Sequence, residues 1–219
     1  MVLDRHRRVL DWWLDPLTHV VRRVHPDVFT WLSLAVAILG GVLFWASSPG
    51  YAGRAVLLAA WACVGLNSIL DLLDGKVAKL TNQATPRGDF LDHAIDRFSD
   101  TAFLVGIALS PWSPTPWIGL LAVGFTLLTS YMGTQAQAVG LKRNYGGWLG
   151  RADRMVLLLF LPLIQFGWSE WNGGPLMVLG RATNFLELVM AYFAVVGALT
   201  TVQRFAMTLR SFGPGGKLP

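Results

Sequence analysis

Residues 71–96, DLLDGKVAKLTNQATPRGDFLDHAID, set five aspartates between two stretches apolar enough to cross a bilayer. With Asp100 just beyond, the region holds six of the chain's 13 acidic residues. A charged side chain at membrane depth costs about 2.5–3.5 kcal/mol on insertion scales, so a cluster of them points to a functional site. The spacing sharpens the case. Asp71, Asp74, Gly75 and Ala78 follow i, i+3, i+4, i+7 and share one helical face, while Gly88, Asp92 and Asp96 follow i, i+4, i+8 and share another. Two antiparallel helices joined by a short loop then point four carboxylates at one another. Such a group repels itself in a low dielectric unless protons or cations intervene. Hard oxygen donors suit Mg²⁺, Mn²⁺ or Ca²⁺, and Mg²⁺ commonly takes substrate phosphates as co-ligands. Lys76, Lys79 and Arg87 lie beside the acids and suit phosphate as well. Gly75 and Gly88 let a ligand or a neighbouring backbone come close to the helix.

Composition agrees with a membrane setting. Of 219 residues, 53% are hydrophobic and 14% charged, and the mean hydropathy is +0.48. Soluble domains carry about 25% charged residues, so an ordinary water-soluble globule is excluded. A net charge of +5 on so apolar a chain points to anionic lipid or a phosphorylated substrate rather than nucleic acid. Cys63 is the only cysteine, which excludes an internal disulfide and a cysteine-based zinc site.

A bilayer core needs about 20 apolar helical residues per crossing. Six stretches qualify, at about 28–46, 52–73, 90–109, 117–139, 155–168 and 182–207, separated by Pro/Gly breaks or charge clusters. The fifth is short and can borrow residues from Gly150 onward. The expected fold is an all-α integral membrane protein of six transmembrane helices, residues 27–210, preceded by an amphipathic interfacial helix over 1–26 and followed by a tail at 211–219. Leu10, Trp12, Trp13, Leu14 and Leu17 beside Arg5, Arg7, Arg8, Arg22 and Arg23 give the N-terminal helix its two faces. In this topology 16 of the 18 Lys and Arg fall on one side, with only Arg54 and Arg181 opposite. The positive-inside rule then places both termini and the acidic cluster in the cytoplasm of a multi-pass cell-membrane protein. Trp12, Trp13, Trp112, Trp117, Trp148, Trp168 and Trp171 read as interfacial belt. Gly40-Gly41 and Gly197-Ala198 suit close helix packing.

Asp71-x-x-Asp74-Gly75-x-x-Ala78-Lys79, eight residues, then Gly88-x-x-x-Asp92-x-x-x-Asp96 resembles the signature of the CDP-alcohol phosphatidyltransferases. Every fixed position matches at the same spacing except Lys79, where the family usually has Arg. Lys keeps the charge but loses the bidentate fork. Pro26-Asp27-x-x-Thr30 resembles the Pro-Asn-x-x-Thr that opens the family's first span, and Thr85 also agrees with the pattern. The resemblance covers nearly the whole chain. It implies a six-span bundle, often a homodimer, that transfers a phosphatidyl group from CDP-diacylglycerol to an alcohol and releases CMP in phospholipid biosynthesis. Carried over by position, Asp71, Asp74 and Asp92 hold metal, while Asp96 is the general base and a ligand of a second ion, the ions being Mg²⁺ or Mn²⁺. Asp71, Gly75, Ala78, Lys79, Gly88 and Thr30 would receive the CDP donor. Asp89 and Asp100 have no signature role and read as solvated or paired. His93, about a quarter turn from the Asp92/Asp96 stripe, reads as packing.

For the acceptor, Ser130-Tyr131, Gly140 and Gly150-Arg151-x-x-Arg154 resemble the inositol-phosphate-using members, with Arg204 where those enzymes have another phosphate-binding arginine. Arg151, Arg154 and Arg204 could then converge on a phosphomonoester. Glycerol 3-phosphate is the alternative acceptor for the same chemistry. A more distant alternative is a cation-coupled transporter, since paired carboxylates also serve ion pathways. Against transport stand the lack of an inverted repeat and the clustering of all four acids at one membrane face.

Overall fold

A computed structural model describes residues 16, 18, 20–171, 173–213 and 216. Most of the interfacial helix expected over 1–26, and the tail beyond Gly213 apart from Gly216, lie outside the described residues. Six long helices follow in order: α1 Pro26–Ala46, α2 Tyr51–Leu80, α3 Pro86–Ala108, α4 Pro116–Ala138, α5 Arg151–Trp171 and α6 Phe185–Arg210. Between α5 and α6 a short antiparallel hairpin pairs β1 Leu176–Val178 with β2 Arg181–Thr183.

Local chemistry sets the helix starts. Proline opens α1, α3 and α4, where its missing N–H costs nothing. Thr85 caps α3, its Oγ1 accepting the Gly88 N–H at 3.1 Å, and Asn184 caps α6 by accepting the Glu187 N–H at 3.0 Å. The sixth helix therefore begins three residues later than the apolar count suggested, because 176–183 form the hairpin instead. Leu179 and Gly180 form its two-residue turn with φ of 51° and 76°, the left-handed pair such a turn demands. The fifth helix does take residues before Met155, starting at Arg151.

Five of the helices are long and apolar enough to cross a membrane: α1, α2, α4, α5 and α6. Of the six expected spans, the third, at about 90–109, is the one outside this set. α3 has the length, 23 residues, but carries Arg87, Asp89, Asp92, Asp96, Arg97 and Asp100. It is packed by its neighbours rather than selected by hydropathy, lying against α1 on one side and α4 on the other. Each of the six helices contributes to one apolar core, including Phe44, Leu57, Phe103, Ala122, Leu158 and Phe193. Phe44 and Phe103 meet edge to face at 6.3 Å. Trp112, expected in the aromatic belt, belongs to this core instead, 2% exposed with its Nε1–H donating to Ser47 Oγ at 2.9 Å. Ile38, Val42, Trp45, Trp117, Leu120, Val195 and Val202 remain exposed, as lipid-facing side chains are.

Two features position the site. First, α2 is 30 residues long, about 45 Å at a rise of about 1.5 Å per residue. That exceeds a bilayer core of about 30 Å, so its last turns, with Asp71, Asp74, Gly75, Ala78 and Lys79, extend past the apolar segment. Second, α1 and α3 cross nearly in backbone contact. A Cβ added at Gly106 would lie 2.1 Å from the Gly41 carbonyl oxygen, and one added at Gly41 would lie 2.4 Å from that of Ala102. Gly106→Val should therefore force the two helices apart and destabilise the protein by about 1–3 kcal/mol, as overpacking does. Thermal unfolding in detergent checks this through a lowered Tm, while Gly124→Ala, at a glycine with open space around it, should hold or raise Tm.

Candidate active site

The end of α2, the start of α3 and the start of α1 enclose a cavity of about 260 Å³. Pro26, Asp27, Thr30, Asp74, Gly75, Ala78, Lys79, Thr85, Gly88 and Asp92 line it, which brings most of the donor-binding set together. Thr30 Oγ1 donates to Asp74 Oδ2 at 2.8 Å and holds that buried carboxylate in place. Asp27 pairs with Arg87 across the mouth. Gly75 opens onto free space, since an added Cβ would meet no atom within 4 Å. This glycine is not required by a neighbouring backbone, and its bare surface faces the cavity.

One helical turn further along α3 lies a second cavity of about 530 Å³. Its wall is polar: His93, Asp96, Arg97, Ser130, Arg143, Tyr145, Arg151, Asp153, Arg154 and Arg204. Arg151 Nη1 donates to Asp71 Oδ2 at 2.8 Å and Nη2 to Asp71 Oδ1 at 3.2 Å, while Nη2 also lies 2.6 Å from Asp96 Oδ1. That last contact is an ion pair by distance without the alignment of a hydrogen bond, and Asp96 Oδ1 is buried with no hydrogen-bond partner. Arg154, 2% exposed, donates from Nη2 to Asp100 Oδ2 at 2.7 Å. Arg97 lies 3.6 Å from the same Asp100 oxygen and 3.4 Å from Asp96 Oδ2, and it also bonds Ser130. Asp100 is thus paired, as expected, and Asp89 stays exposed.

The three acceptor arginines do reach one cavity, but each already has work there. Arg204 donates from Nε to the Gly146 carbonyl and from Nη1 to the Thr129 carbonyl, both at 2.7 Å, so it ties the 140–150 loop to α4. Arg151 and Arg154 each keep a buried Nε without a hydrogen-bond partner. Sequence reasoning missed Arg97, Arg143 and Tyr145, and it misread His93. Instead of packing, His93 is half-exposed in the cavity wall, bonded to Arg143 and 3.5 Å from Asp92. A usable signal existed: His93, Asp96, Arg97 and Asp100 follow i, i+3, i+4, i+7 and form one polar face.

Asp92, His93 and Asp96 each offer a ligand atom, all within 4.8 Å of one another. Two carboxylates, that of Asp96 with an oxygen free of hydrogen bonds, and an imidazole fit a hard or borderline divalent cation. Asp71 and Asp74 stand outside that trio, the first held by Arg151 and the second by Thr30.

The family model described as CDP-alcohol phosphatidyltransferase matches residues 23–209. The chain belongs to this family. It is therefore an enzyme that transfers phosphatidyl groups, which sets the transporter alternative aside. Among its relatives, the phosphatidylinositol phosphate synthase of Cutibacterium acnes is 28% identical over 90% of this chain and 93% of its own length. The archaetidylinositol phosphate synthase of Methanothermobacter thermautotrophicus is 27% identical over 93% and 92%. Among solved structures, phosphatidylinositol phosphate synthase of Mycobacterium tuberculosis with CDP-DAG bound superposes with a TM-score of 0.70 at 26% identity, covering 92% of this chain and 94% of that one. The same enzyme in complex with manganese and citrate also gives 0.70, covering 92% and 90%.

The open face of Gly75 separates folding from binding in this phosphatidyltransferase. Gly75→Ala should hold or raise Tm, since Ala in a helix interior is favoured by about 0.5–1 kcal/mol. Its methyl group enters the 260 Å³ cavity, so the KM for the nucleotide-linked donor should rise severalfold in steady-state kinetics.

Proposed function

We propose that this enzyme transfers the phosphatidyl group of CDP-diacylglycerol to inositol phosphate, releasing CMP, at the cytoplasmic face of a cell membrane that it crosses six times, with both termini in the cytoplasm. The observation that carries the reading is the position of Asp96. It belongs to the divalent-cation trio and also lines the cavity whose wall holds Arg97, Arg143, Arg151, Arg154 and Arg204. Five arginines around one polar cavity suit an acceptor that carries its own phosphate, because guanidinium binds phosphate through paired N–H bonds. The names of the relatives, which include phosphatidylinositol and archaetidylinositol phosphate synthases, support inositol phosphate as that acceptor. Glycerol 3-phosphate remains the alternative.

In this reading the CDP moiety sits in the 260 Å³ cavity against Thr30, Gly75, Ala78 and Gly88, with Lys79 on its phosphates. Asp71, Asp74, Asp92 and Asp96 would hold two Mg²⁺ or Mn²⁺ ions, and manganese in the M. tuberculosis complex supports a divalent metal. When bound, such ions neutralise charge on the pyrophosphate as it is cleaved. Asp96 accepts the proton of the acceptor hydroxyl. The hydroxyl oxygen forms its bond to the phosphatidyl phosphorus, the bond from that phosphorus to the CMP oxygen breaks, and CMP leaves with the electron pair. Arg151, Arg154 and Arg204 orient the acceptor phosphate, Arg204 by fixing the loop that carries Gly146 and Gly147. The homodimer implied by the family resemblance completes the reading.

Purified protein incubated with CDP-diacylglycerol, Mg²⁺ and a panel of alcohols should release CMP fastest with inositol phosphate. Preference for glycerol 3-phosphate would favour the alternative, and preference for an unphosphorylated alcohol would contradict the arginine cavity. Asp96→Asn should keep the wild-type Tm and lose at least about 100-fold in kcat, the usual scale for a general base; full activity in that variant would rule Asp96 out as the base.

A further inference from the structure

Among the ion pairs of the described residues, Arg151 alone joins Asp71 on α2 to Asp96 on α3, and it does so from the first residue of α5. It covers both oxygens of Asp71 and the one oxygen of Asp96 that has no hydrogen-bond partner. Those are atoms that a divalent cation would use. A guanidinium and a cation held at the same oxygens repel each other and compete for the same negative charge, so each weakens the other's hold. Arg151 also lines the 530 Å³ cavity, with Nε buried and unpartnered beside Arg154. The group displaced from the carboxylates thus borders a space suited to an anion.

We infer that Arg151 competes with the divalent cation for Asp71 and Asp96, and that metal binding hands its guanidinium over to the acceptor phosphate. The inference rests on the metal and acceptor sites proposed above. It makes the two sites thermodynamically coupled: metal frees Arg151 for the phosphate, and phosphate, by drawing Arg151 away, tightens the metal. A charge that would otherwise be buried without a partner is covered in either arrangement, by carboxylate in one and by phosphate in the other. The cost falls on metal affinity in the absence of acceptor, since the apparent Kd is the intrinsic Kd divided by the fraction of molecules with free carboxylates.

The test is a Mn²⁺ titration followed by electron paramagnetic resonance on purified wild-type and Arg151→Gln protein, without substrate and then with saturating inorganic phosphate. If the carboxylates are about 90% covered by Arg151, Arg151→Gln binds Mn²⁺ about tenfold more tightly than wild type. Phosphate then tightens Mn²⁺ binding by a larger factor in wild type than in the variant. Arg151→Lys keeps the charge without the fork, so its Mn²⁺ affinity falls between the two, which preserves the comparison should Arg151→Gln fold poorly. An unchanged or weaker Mn²⁺ affinity in both variants overturns the competition, and an equal phosphate enhancement in wild type and variants overturns the handover. Absence of Mn²⁺ binding in all three proteins would defeat the metal reading itself and the inference with it, which distinguishes the two failures.

Discussion

Asp71 and Asp96, on different helices, meet one guanidinium at 2.6–3.2 Å. Like charges brought together in a medium of low dielectric need counter-charge, and the chain supplies it from each direction. Arg151 arrives from α5, Arg97 lies beside Asp96 on α3, and Arg154 neutralises Asp100 from below. The acids are therefore not a patch laid on a finished bundle. They determine which helix ends must converge, because an arginine on α5 is of use to an aspartate on α2 only if α2, α3 and α5 come together at that face.

The same requirement explains how the fold divides. At one end the six helices share an apolar core around Phe44, Leu57, Phe103 and Phe193, with glycines at 41 and 106 letting α1 and α3 touch. At the other end the packing gives way to two polar cavities lined by neighbouring turns of α3, Asp92 in the smaller and His93 and Asp96 in the larger. α3 runs through both environments, and its sequence shows the change: its acids and arginines end at Asp100, and after it come only Thr101 and apolar residues up to Ala108. Packing of the apolar half holds the helix while its charged half lines the two cavities.

Much of this was legible in the sequence, and the misses have physical causes. Periodicity put the aspartates on two helix faces at one end of the bundle, and hydropathy found five helices with ends within a few residues except for α2, which runs on to Leu80 rather than stopping near residue 73. The remaining stretch, 90–109, was found from its apolar half, while the charges of α3 keep the whole helix outside the five that are apolar enough to cross. The hairpin at 176–183 was not foreseen, and the sixth span was started inside its second strand; the left-handed pair Leu179-Gly180 makes the turn that ends the ambiguity. Trp112 looks interfacial by position, yet its indole N–H finds Ser47 and the ring is buried. The arginines were the hardest. Positive charges near a helix end are common for topological reasons, and nothing in their spacing reveals that Arg204 holds backbone carbonyls while Arg151 holds carboxylates. Those roles depend on contacts across 58 to 80 residues of chain.

The central claim is that the acidic face works through divalent cations to cleave the CDP-linked donor. Release of CMP from CDP-diacylglycerol by the purified protein, measured in EDTA and again after addition of excess Mn²⁺, tests it most directly. The account predicts no release above background in the chelator and recovery with Mn²⁺. Undiminished CMP release in EDTA would contradict it.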